Sequence, residues 1–516
     1  MPRRPQALAQ RWAHQTETDD SEGLFHGLTN SGADPMLATV VVACPRVYEI
    51  ACCHSHRNET GPMAEHRRRI IWFCSTEIIA TRPDALRRLR DEIGLTTIMP
   101  ESPICHTSGF RASEALAARG PFTDWRQRTD RWPKAADGIY PPVAGVVGGF
   151  DDSELLRAMD VAHDAGIEVW GHLGLWSYGG DVFPEYAMRD VDGAELSPRW
   201  QAWGTGLCPS HPQVDAWTAD CLEEATARYA VDGYCVDHAR YPQPANLHAL
   251  IACACEHCCA AGQALGFDAQ RLVAAARASR QALRRLDAEG VRQALATGLR
   301  GPELLPALGV PRALWEWLLM RAALLSGRMA AFRDRVQQVK AGLPFGSDVF
   351  APSIALPGGH DFDRWTVATD FLTGGSSAGG VVGWATGATN AAAEWAQALV
   401  DETADVAQED AVELCLRLLS QEDVAGLPRT IDGLRQGPLP LAELYDREVA
   451  RLVATTAGRV PLYPPVSTGG SPEQVRQLAS SVQAHGCHGA MISVDPDNAA
   501  SLQALRDGFG ALALAN

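Results

Sequence analysis

The sequence of 516 residues lacks any apolar run approaching the roughly 18 residues that a membrane-spanning helix requires. It is also poor in positive charge, because 45 Lys and Arg stand against 62 Asp and Glu, for a formal net charge of −17. Binding to nucleic-acid phosphates requires a basic surface. The composition therefore predicts a protein with no membrane partner and no nucleic-acid partner.

The first residues lack the features of a secretory signal. A signal peptide has an apolar core directly after its basic residues, whereas here the nearest apolar run, MLATVVVAC, begins only at residue 36 and follows acidic residues. We therefore expect a cytoplasmic protein. Residues 1–65 show little periodicity and many polar, Gly and Pro breaks, which predicts a poorly ordered lead-in to a domain spanning 66–516.

Short apolar segments rich in β-formers alternate with amphipathic helical segments along the rest of the chain. Such alternation is typical of parallel strands joined by crossover helices, and eight units predict an α/β fold of the (β/α)8 barrel type. An open sheet that binds a dinucleotide is disfavoured, because no glycine fingerprint follows the first strand. The eight predicted strands lie within 69–77, 94–102, 167–176, 231–242, 343–353, 369–376, 458–466 and 487–495.

The connection between the fourth and fifth predicted strands is unusually long. It contains a Cys-rich loop followed by Ala-, Leu- and Arg-rich sequence, and together these span 253–342. The stretch 313–342 has the broad apolar face of one long helix. We interpret this region as a helical insertion and expect it to lie over the mouth of the barrel.

Active sites of such barrels lie at the C-terminal ends of the strands, where this sequence places two aspartates. Asp237 ends the fourth strand, VDGYCVDHARYP, on the face shared by Gly233 and Cys235, and Asp348 lies in the fifth strand. Cleavage of a glycosidic bond normally uses two carboxyl groups. We interpret Asp237 as nucleophile or base and Asp348 as general acid, with Glu101 and Asp495 as alternative acids. Two structural roles remain open, an ion pair of Asp237 with Arg240 and a strand-end turn at Asp348.

Further polar and aromatic side chains are predicted near the same strand ends. Carbohydrates offer hydroxyl groups to carboxylates, amides and imidazoles, and they offer apolar faces to aromatic rings. The candidate substrate-binding residues are His172, Trp176, Glu101, Arg240, Tyr241 and Asp495, with Trp203 as another candidate stacking surface. His238 follows Asp237 directly, so a regular strand directs its side chain to the opposite face.

The fourth strand also resembles a known signature. VDGYCVDHARYP resembles the D-G-x-x-x-D-x-x-R-Y-P pattern of uncharacterised glycosyl-hydrolase-like barrel families. More distantly it is similar to the alpha-amylase superfamily, in which the aspartate at the position of Asp237 is the nucleophile. The resemblance implies a barrel that acts on a carbohydrate substrate. The chain departs from alpha-amylases at Cys235, where they have arginine, and at Asp348, where they have glutamate.

Four of the 14 cysteines fall within 253–259, and in a reducing compartment such clustering indicates metal ligation rather than disulfides. Cys253, Cys255 and Cys258 form a C-x-C-x-x-C pattern whose thiolates can converge on one ion, and Zn²⁺ takes four S or N ligands. Candidates for the fourth ligand are Cys259, His257 and the remote Cys208. An iron–sulfur cluster is disfavoured because no matching fourth cysteine follows.

A similar segment after the fourth strand holds a structural zinc in family 42 beta-galactosidases, together with one cysteine elsewhere. This resemblance implies a structural zinc in the present chain, with Cys208 as the remote ligand. A closed shell of thiolates leaves no position for a reacting water, so the ion would not act as a Lewis acid.

The sequence predicts a glycoside hydrolase but leaves two other classes open. One is a barrel that binds carbohydrate without cleaving it. The other is a lyase or isomerase that acts on a sugar by proton abstraction, with His172 as base. The sequence makes no prediction about the oligomeric state.

Overall fold

A computed structural model provides the structure of the chain. It describes residues 68–101, 153–176, 184–194, 196, 206–237, 239–242, 244, 250–374, 383–403 and 405–510. The predicted lead-in at 1–65 lies outside the described residues, as do Trp203 and His238. In the described part of the chain, no helix is both long enough and apolar enough to cross a membrane.

Nine strand segments form one parallel sheet. They are β1 Arg69–Ser75, β2 Leu95–Glu101, β3 Glu168–Gly174, β4 Gly233–Asp237, β5 Phe345–Asp348, β6 Leu372–Thr373, β7 Leu462–Tyr463, β8 Pro465–Ser467 and β9 Gly489–Ser493. Each lies within a predicted strand except β8, which extends one residue beyond 458–466. The prediction of eight strands is confirmed when β7 and β8 are counted together.

The sheet closes into a ring. Its order is β7-β6-β5-β4-β3-β2-β1-β9-β8, and only Pro464 separates β7 from β8. The two segments are therefore one strand that pairs with β6 through Leu462 and Tyr463 and with β9 from Pro465 onward. Since a proline lacks the N–H needed for the ladder, the change of partner falls at a residue that could not donate to either neighbour. The predicted (β/α)8 barrel is confirmed.

Helices follow the strands and surround the barrel. They are α1 Thr76–Thr81, α2 Pro83–Ile93, α3 Ser153–Asp164, α4 Pro212–Arg228, α5 Glu256–Ala264, α6 Ala269–Arg285, α7 Ala288–Ala296, α8 Ala313–Val339, α9 Pro352–Gly358, α10 Phe362–Ala368, α11 Gly387–Glu402, α12 Gln408–Leu418, α13 Ile431–Gln436, α14 Leu441–Thr456, α15 Pro472–Ala484 and α16 Ala499–Phe509. Two 3₁₀ segments lie at Pro184–Tyr186 and Gly301–Leu308.

The helix α2 shows how the local sequence sets these elements. Leu86, Leu89 and Ile93 repeat at helical spacing and are fully buried. The helix ends at Gly94, which adopts a left-handed conformation with φ 71° and donates its N–H to Arg90 O. A residue with a Cβ is disfavoured in that conformation, so the glycine fixes where the helix stops and where β2 can begin.

The helical insertion between β4 and β5 is confirmed, but the placement of its longest helix differs from the prediction. The helix α8 packs against α4 and α10, the helices that flank it in the outer ring. Lys340, immediately after α8, donates from Nζ to Val231 O just before β4. The helix α8 is thus the crossover helix between β4 and β5, because its broad apolar face needs the wall of the barrel to cover it. The additional helices of the insertion are α5, α6 and α7.

The interior of the barrel is filled by side chains that alternate along the strands. The interior cluster consists of Ile71, Met99, Trp170, Cys235, Phe371, Tyr463 and Met491. Two glycines make room for its largest rings: a Cβ on Gly233 would lie 2.8 Å from Trp170 Nε1, and one on Gly346 would lie 2.5 Å from ring carbons of Phe371. The packed interior closes the barrel beneath the ends of β4 and β5 and so supplies a floor for a site there.

Candidate active site and cysteine centre

Asp237 and Asp348 lie side by side at the C-terminal ends of neighbouring strands. Val236 of β4 pairs with Ser347 of β5, so the two aspartates are the next residues along these strands. Both lie two residues beyond positions of the barrel interior, Cys235 and Gly346, and therefore share the inward face. The side chain of Asp237 is 22% exposed, so it is accessible from the mouth of the barrel.

The thiol of Cys235 lies beneath both carboxylates. It is buried, and burial together with the negative charges of Asp348 and Asp237 raises its pKa well above the ordinary value. The strand register places the two aspartates at one level, one step beyond the level of this thiol.

His172 is the third polar residue of this inward face. It is 8% exposed and lies on β3 opposite Cys235 of β4. Its Nε2 lies 3.4 Å from Asp237 Oδ2, and the Phe73 ring stands edge-on at a centroid distance of 4.9 Å. Its Nδ1 is buried with no hydrogen-bond partner among the described residues. The imidazole is thus placed to orient Asp237, and it leaves one nitrogen for another group.

His360 fastens the two loops that follow the aspartates. Its Nδ1 accepts a hydrogen bond from Phe350 N–H at 3.0 Å, and its Nε2 lies 3.2 Å from Ala239 O. Phe350 follows β5 and Ala239 follows β4, so one ring bridges both strand exits. The histidine is buried, and burial, together with the nearby charge of Arg240, lowers its pKa to about 3 despite the bond to Ala239 O. A neutral ring that donates from Nε2 satisfies both contacts.

Arg240, predicted to bind substrate or to pair with Asp237, is 6% exposed and places its guanidinium 5.3 Å from the centroid of the Phe350 ring. The cation–π contact adds a second link between the exits of β4 and β5. Arg240 thus braces the wall of the site in this structure. Its predicted role in substrate binding stays a prediction.

The structure corrects the prediction that Trp176 and Tyr241 offer stacking surfaces to a sugar. Trp176 is 1% exposed, because a left-handed backbone with φ 55° turns it out of the strand and its ring packs 6.0 Å from Phe332 of α8. Tyr241 is fully buried, with the guanidinium of Arg321 at 4.1 Å from its ring centroid. Both rings belong to the layer between the barrel and its helices, where a substrate has no access.

Two predicted carboxylates lie farther from Asp237 along the ring of strands. Glu101 ends β2, two strands from β4, and its side chain lies outside the described residues. Asp495 follows β9, the strand across the barrel from β4, and it is exposed. Its Oδ1 accepts a hydrogen bond from Asp497 N–H at 2.9 Å. By the order of the strands, Asp348 is thus the neighbour of Asp237, whereas the strands that carry these two carboxylates lie farther around the ring.

Thr373 belongs to the same face and was not singled out in the sequence. It pairs with Asp348 across the β5–β6 ladder and lies two residues beyond Phe371 of the interior. Its side chain is buried, and its Oγ1 has no hydrogen-bond partner among the described residues. Counting alternate residues along β6 would have identified it. No local pattern indicates His360, whose contacts depend on the approach of two loops.

Four cysteine sulfurs converge beside the end of β4. The Sγ atoms of Cys208, Cys253, Cys255 and Cys258 all lie within 4.8 Å of one another. Cys208 Sγ is 3.4 Å from Cys255 Sγ and 3.5 Å from Cys258 Sγ. Cys259 lies outside this group and donates to Ala254 O. Of the three candidates for a fourth ligand, the structure brings Cys208 to the C-x-C-x-x-C segment.

The donor set fits a four-coordinate metal ion of the zinc type. A tetrahedral Zn²⁺ site with Zn–S bonds of about 2.3 Å has S···S edges of about 3.8 Å, close to the separations of these sulfurs. Backbone N–H groups of Arg189 and Cys258 donate to Cys253 Sγ and Cys255 Sγ, at 3.4 Å and 3.5 Å. Such bonds favour the thiolate form, which is the form that binds a metal.

The four thiols also differ in acidity. Hydrogen bonds from Cys208, Cys253 and Cys258 lower the pKa of the Cys255 thiol, whereas the same network and burial raise the pKa of Cys208. Thiolates this close compete for negative charge, because each one disfavours ionisation of its neighbours. A divalent cation removes this competition, because it stabilises all four thiolates at once.

Solved structures with a similar fold are glycoside hydrolases of low sequence identity. The glycoside hydrolase domain of PgaB (BpsB) from Bordetella bronchiseptica is 11% identical, with a TM-score of 0.46 over 86% of this chain and 98% of that chain. The catalytic domain of beta-amylase from Paenibacillus polymyxa is 10% identical, with a TM-score of 0.42 over 85% of this chain and 95% of that one.

A beta-galactosidase from Bacillus circulans sp. alkalophilus is 10% identical, with a TM-score of 0.41. The match covers 83% of this chain and 50% of that one, so the present chain spans about half its length. No protein-family model matches the sequence, and no curated protein matches it. These similarities assign no role to any residue.

Proposed function

We propose that the chain is a glycoside hydrolase whose reacting groups are the carboxyls of Asp237 and Asp348. The observation that carries the proposal is their placement on neighbouring strands, at one level, on the inward face of the barrel mouth. Two carboxyl groups across a scissile bond are what glycosidic cleavage normally requires. His172, 3.4 Å from Asp237, supports the orientation of that carboxylate.

The spacing of the strands favours a retaining reaction. Neighbouring strands lie about 4.8 Å apart, so two side chains that extend from adjacent positions approach the roughly 5–5.5 Å separation of retaining enzymes. Inverting enzymes require about 6.5–9.5 Å, because a water molecule must fit between the sugar and the base. Asp237 is therefore assigned as nucleophile and Asp348 as general acid and base.

In the first step Asp348 donates its proton to the glycosidic oxygen while a carboxylate oxygen of Asp237 bonds to the anomeric carbon. The C–O bond to the leaving group breaks, and the alcohol departs with the proton. In the second step water attacks the anomeric carbon and gives a proton to Asp348, and the bond to Asp237 breaks. The sum is one glycoside and one water converted to a free sugar and an alcohol, with both carboxyls restored.

The test is a screen of aryl glycosides and oligosaccharides with wild type, Asp237→Ala and Asp348→Ala. We expect Asp237→Ala to lose activity and to regain turnover when azide is supplied as an external nucleophile. Asp348→Ala should still form the glycosyl-enzyme with glycosides that have acidic leaving groups, which need no protonation, but should turn them over slowly until azide replaces water in the second step. It should lose activity on oligosaccharides. Asp507→Asn, on the exposed face of α16, is the control and should match wild type.

Three alternative results would each contradict a specific part of the proposal. Carbohydrate binding without turnover by the wild type would favour a barrel that binds but does not cleave. Turnover that is insensitive to Asp237 but lost in His172→Gln would favour proton abstraction by His172. If NMR shows that the wild type releases a product of inverted anomeric configuration, the covalent intermediate on Asp237 is refuted.

We further propose that Cys208, Cys253, Cys255 and Cys258 hold one structural zinc ion. Metal analysis of purified protein should give about one zinc per chain. Cys258→Ser should lose the metal and melt at a lower temperature, whereas Cys259→Ser, next to it but outside the four-sulfur group, should keep both metal and stability. Metal-free wild-type protein of undiminished thermal stability would contradict the proposal.

A further inference from the structure

The peptide group between Val349 and Phe350, here called the β5 exit peptide, is held at both of its ends just beyond Asp348. Its carbonyl, Val349 O, accepts a hydrogen bond from Trp384 Nε1 at 3.2 Å. Its N–H, on Phe350, donates to His360 Nδ1 at 3.0 Å. The C=O and N–H of a trans peptide point in opposite directions, so the two side chains hold the chain from opposite sides.

Trp384 connects the β5 exit peptide to the exit of β6. Its side chain is buried and lies against Gly374, the residue that follows Thr373. A Cβ on Gly374 would lie 2.7 Å from Cε2 of the indole, so a residue with a side chain at this position would displace the ring. Beside this contact, Val349 N–H donates to Thr373 O at 2.9 Å. The chain after β5 is therefore tied to β6 by one backbone hydrogen bond and one side chain.

His360 makes the corresponding connection to the exit of β4. Its Nε2 lies 3.2 Å from Ala239 O, two residues beyond Asp237. A series of contacts therefore runs from the exit of β4 through His360 to the β5 exit peptide, and from there through Trp384 to β6. The main chain just beyond each of the two carboxyls, Asp237 and Asp348, is thus tied to a neighbouring strand exit.

The proposed reaction is sensitive to the position of Asp348, because this carboxyl acts in both steps, first as acid and then as base. A rotation of the β5 exit peptide would change the backbone at Val349 and shift the strand end that carries the carboxyl. A displacement of about 1 Å in a reacting arrangement can cost about 100-fold in rate. One indole N–H contributes little to the stability of the whole chain, but it acts directly on this peptide group.

We propose that Trp384 is a positioning residue of the reaction. Through its hydrogen bond to Val349 O it holds the β5 exit peptide, and it thereby keeps the Asp348 carboxyl within reach of the glycosidic oxygen and of the attacking water. Trp384 is 3% exposed and has no access to substrate, so its effect on the rate passes through Asp348. This inference rests on the proposed glycoside hydrolase function.

The experiment compares full-length wild type with Trp384→Phe, which keeps a buried ring and removes the N–H. With oligosaccharides we expect kcat to fall about 10- to 100-fold at unchanged KM, because a misplaced acid slows the chemical step and not binding. With an aryl glycoside that has an acidic leaving group, the initial burst should keep its wild-type rate, because this step needs no protonation. The steady state should be slower and should recover with azide, which needs no base.

Trp72→Phe is the matched control. The Trp72 indole makes the same kind of bond at another strand exit, because its Nε1 donates to Val494 O at 3.1 Å just after β9, three strands around the ring from β5. It is also buried, so the substitution disturbs packing to a similar extent, but its kinetics should match wild type. Gly374→Ala, whose Cβ would displace the Trp384 indole, should instead reproduce the kinetic pattern of Trp384→Phe.

A double variant shows whether Trp384 acts through Asp348, which a loss of packing alone would not mimic. In an Asp348→Ala background, Trp384→Phe should slow the reaction no further, because the group that it positions is absent. Losses that multiply in the double variant would overturn the proposal, as would wild-type kinetics of Trp384→Phe on oligosaccharides.

The same assays separate this inference from the proposed function. If the wild type cleaves no glycoside, or cleaves it without dependence on Asp348, the proposed function fails and this inference fails with it. A wild type that depends on Asp348, together with an indifferent Trp384→Phe, refutes only the role of Trp384. Should Trp384→Phe not fold, the burst and azide measurements on Gly374→Ala decide between these outcomes.

Discussion

The buried histidine between the two strand exits makes the stability of the protein depend on pH in a defined way. The pKa of His360 is about 3 in the folded protein, against an ordinary value of 6.5. Below pH 6.5 the unfolded chain therefore takes up a proton that the folded chain does not. The contribution of neutral His360 to the free energy of unfolding is fully present above pH 6.5 and is lost progressively as the pH falls toward 3. The free energy of unfolding falls by up to about 1.4 kcal/mol per pH unit in this range. The loss amounts to about 2 kcal/mol at pH 5.

The substitution His360→Gln removes this titration and keeps a donor and an acceptor. At pH 7.5 the variant should be less stable than wild type by about 1–3 kcal/mol, because the longer, flexible amide cannot satisfy both Phe350 N–H and Ala239 O as well as the ring does. At pH 5 the difference should have narrowed by about 2 kcal/mol, since only wild type has lost the contribution of a neutral His360.

Urea unfolding at a series of pH values measures both quantities. Trp365→Phe is the control, because its ring packs 4.8 Å from that of His360 and carries no titrating proton. Its deficit relative to wild type should stay constant with pH. A difference between wild type and His360→Gln that is the same at pH 5 and pH 7.5 would refute the assignment of a low pKa to His360.

Further predictions concern packing and the buried polar network. Gly346→Ala should destabilise the barrel by about 1–3 kcal/mol in urea unfolding, because its Cβ meets the Phe371 ring. Gly327→Ala, within α8 and with no atom within 4 Å of its Cβ, should instead be neutral or stabilise by up to about 1 kcal/mol, and equal effects of the two would contradict the packing argument. Glu448→Ala should cost about 3 kcal/mol in the same assay, because this buried carboxylate accepts from Ser353 N–H and pairs with Arg451, whereas Glu448→Gln keeps an acceptor and should cost less.

The elements of the barrel were predictable because their signals are local. Each strand is a short apolar segment, and helical spacing such as that of Leu86, Leu89 and Ile93 follows it. The closure of the ring was inferred from the number of β/α units. In the structure the ring closes because β7 and β8, at the two ends of the strand order, are continuous through Pro464. The long helix α8 was placed wrongly over the mouth, since periodicity gives the apolar face of a helix but not the surface that covers it.

The candidate site was predictable to the extent that it follows from position along a strand. The alternation of side chains places Asp237 above Cys235, and the order of strands places Asp348 beside it. The burial of Trp176 and Tyr241 was not predictable, because aromatic residues after a strand have the same local sequence whether they face a ligand or a neighbouring helix. The catalytic roles of the two aspartates stay a prediction that kinetics must test.

The sequence by itself determined the eight strands, their order, the residues at their C-terminal ends and the presence of a C-x-C-x-x-C segment. These features depend on residues within one segment, so the regular geometry of a strand or helix is enough to predict where they lie. Only the tertiary structure decided that Cys208, 47 residues before Cys255, joins that segment and that His360 bridges two strand exits. Each of these depends on the approach of segments distant in sequence, which packing of the whole barrel fixes and no local pattern encodes.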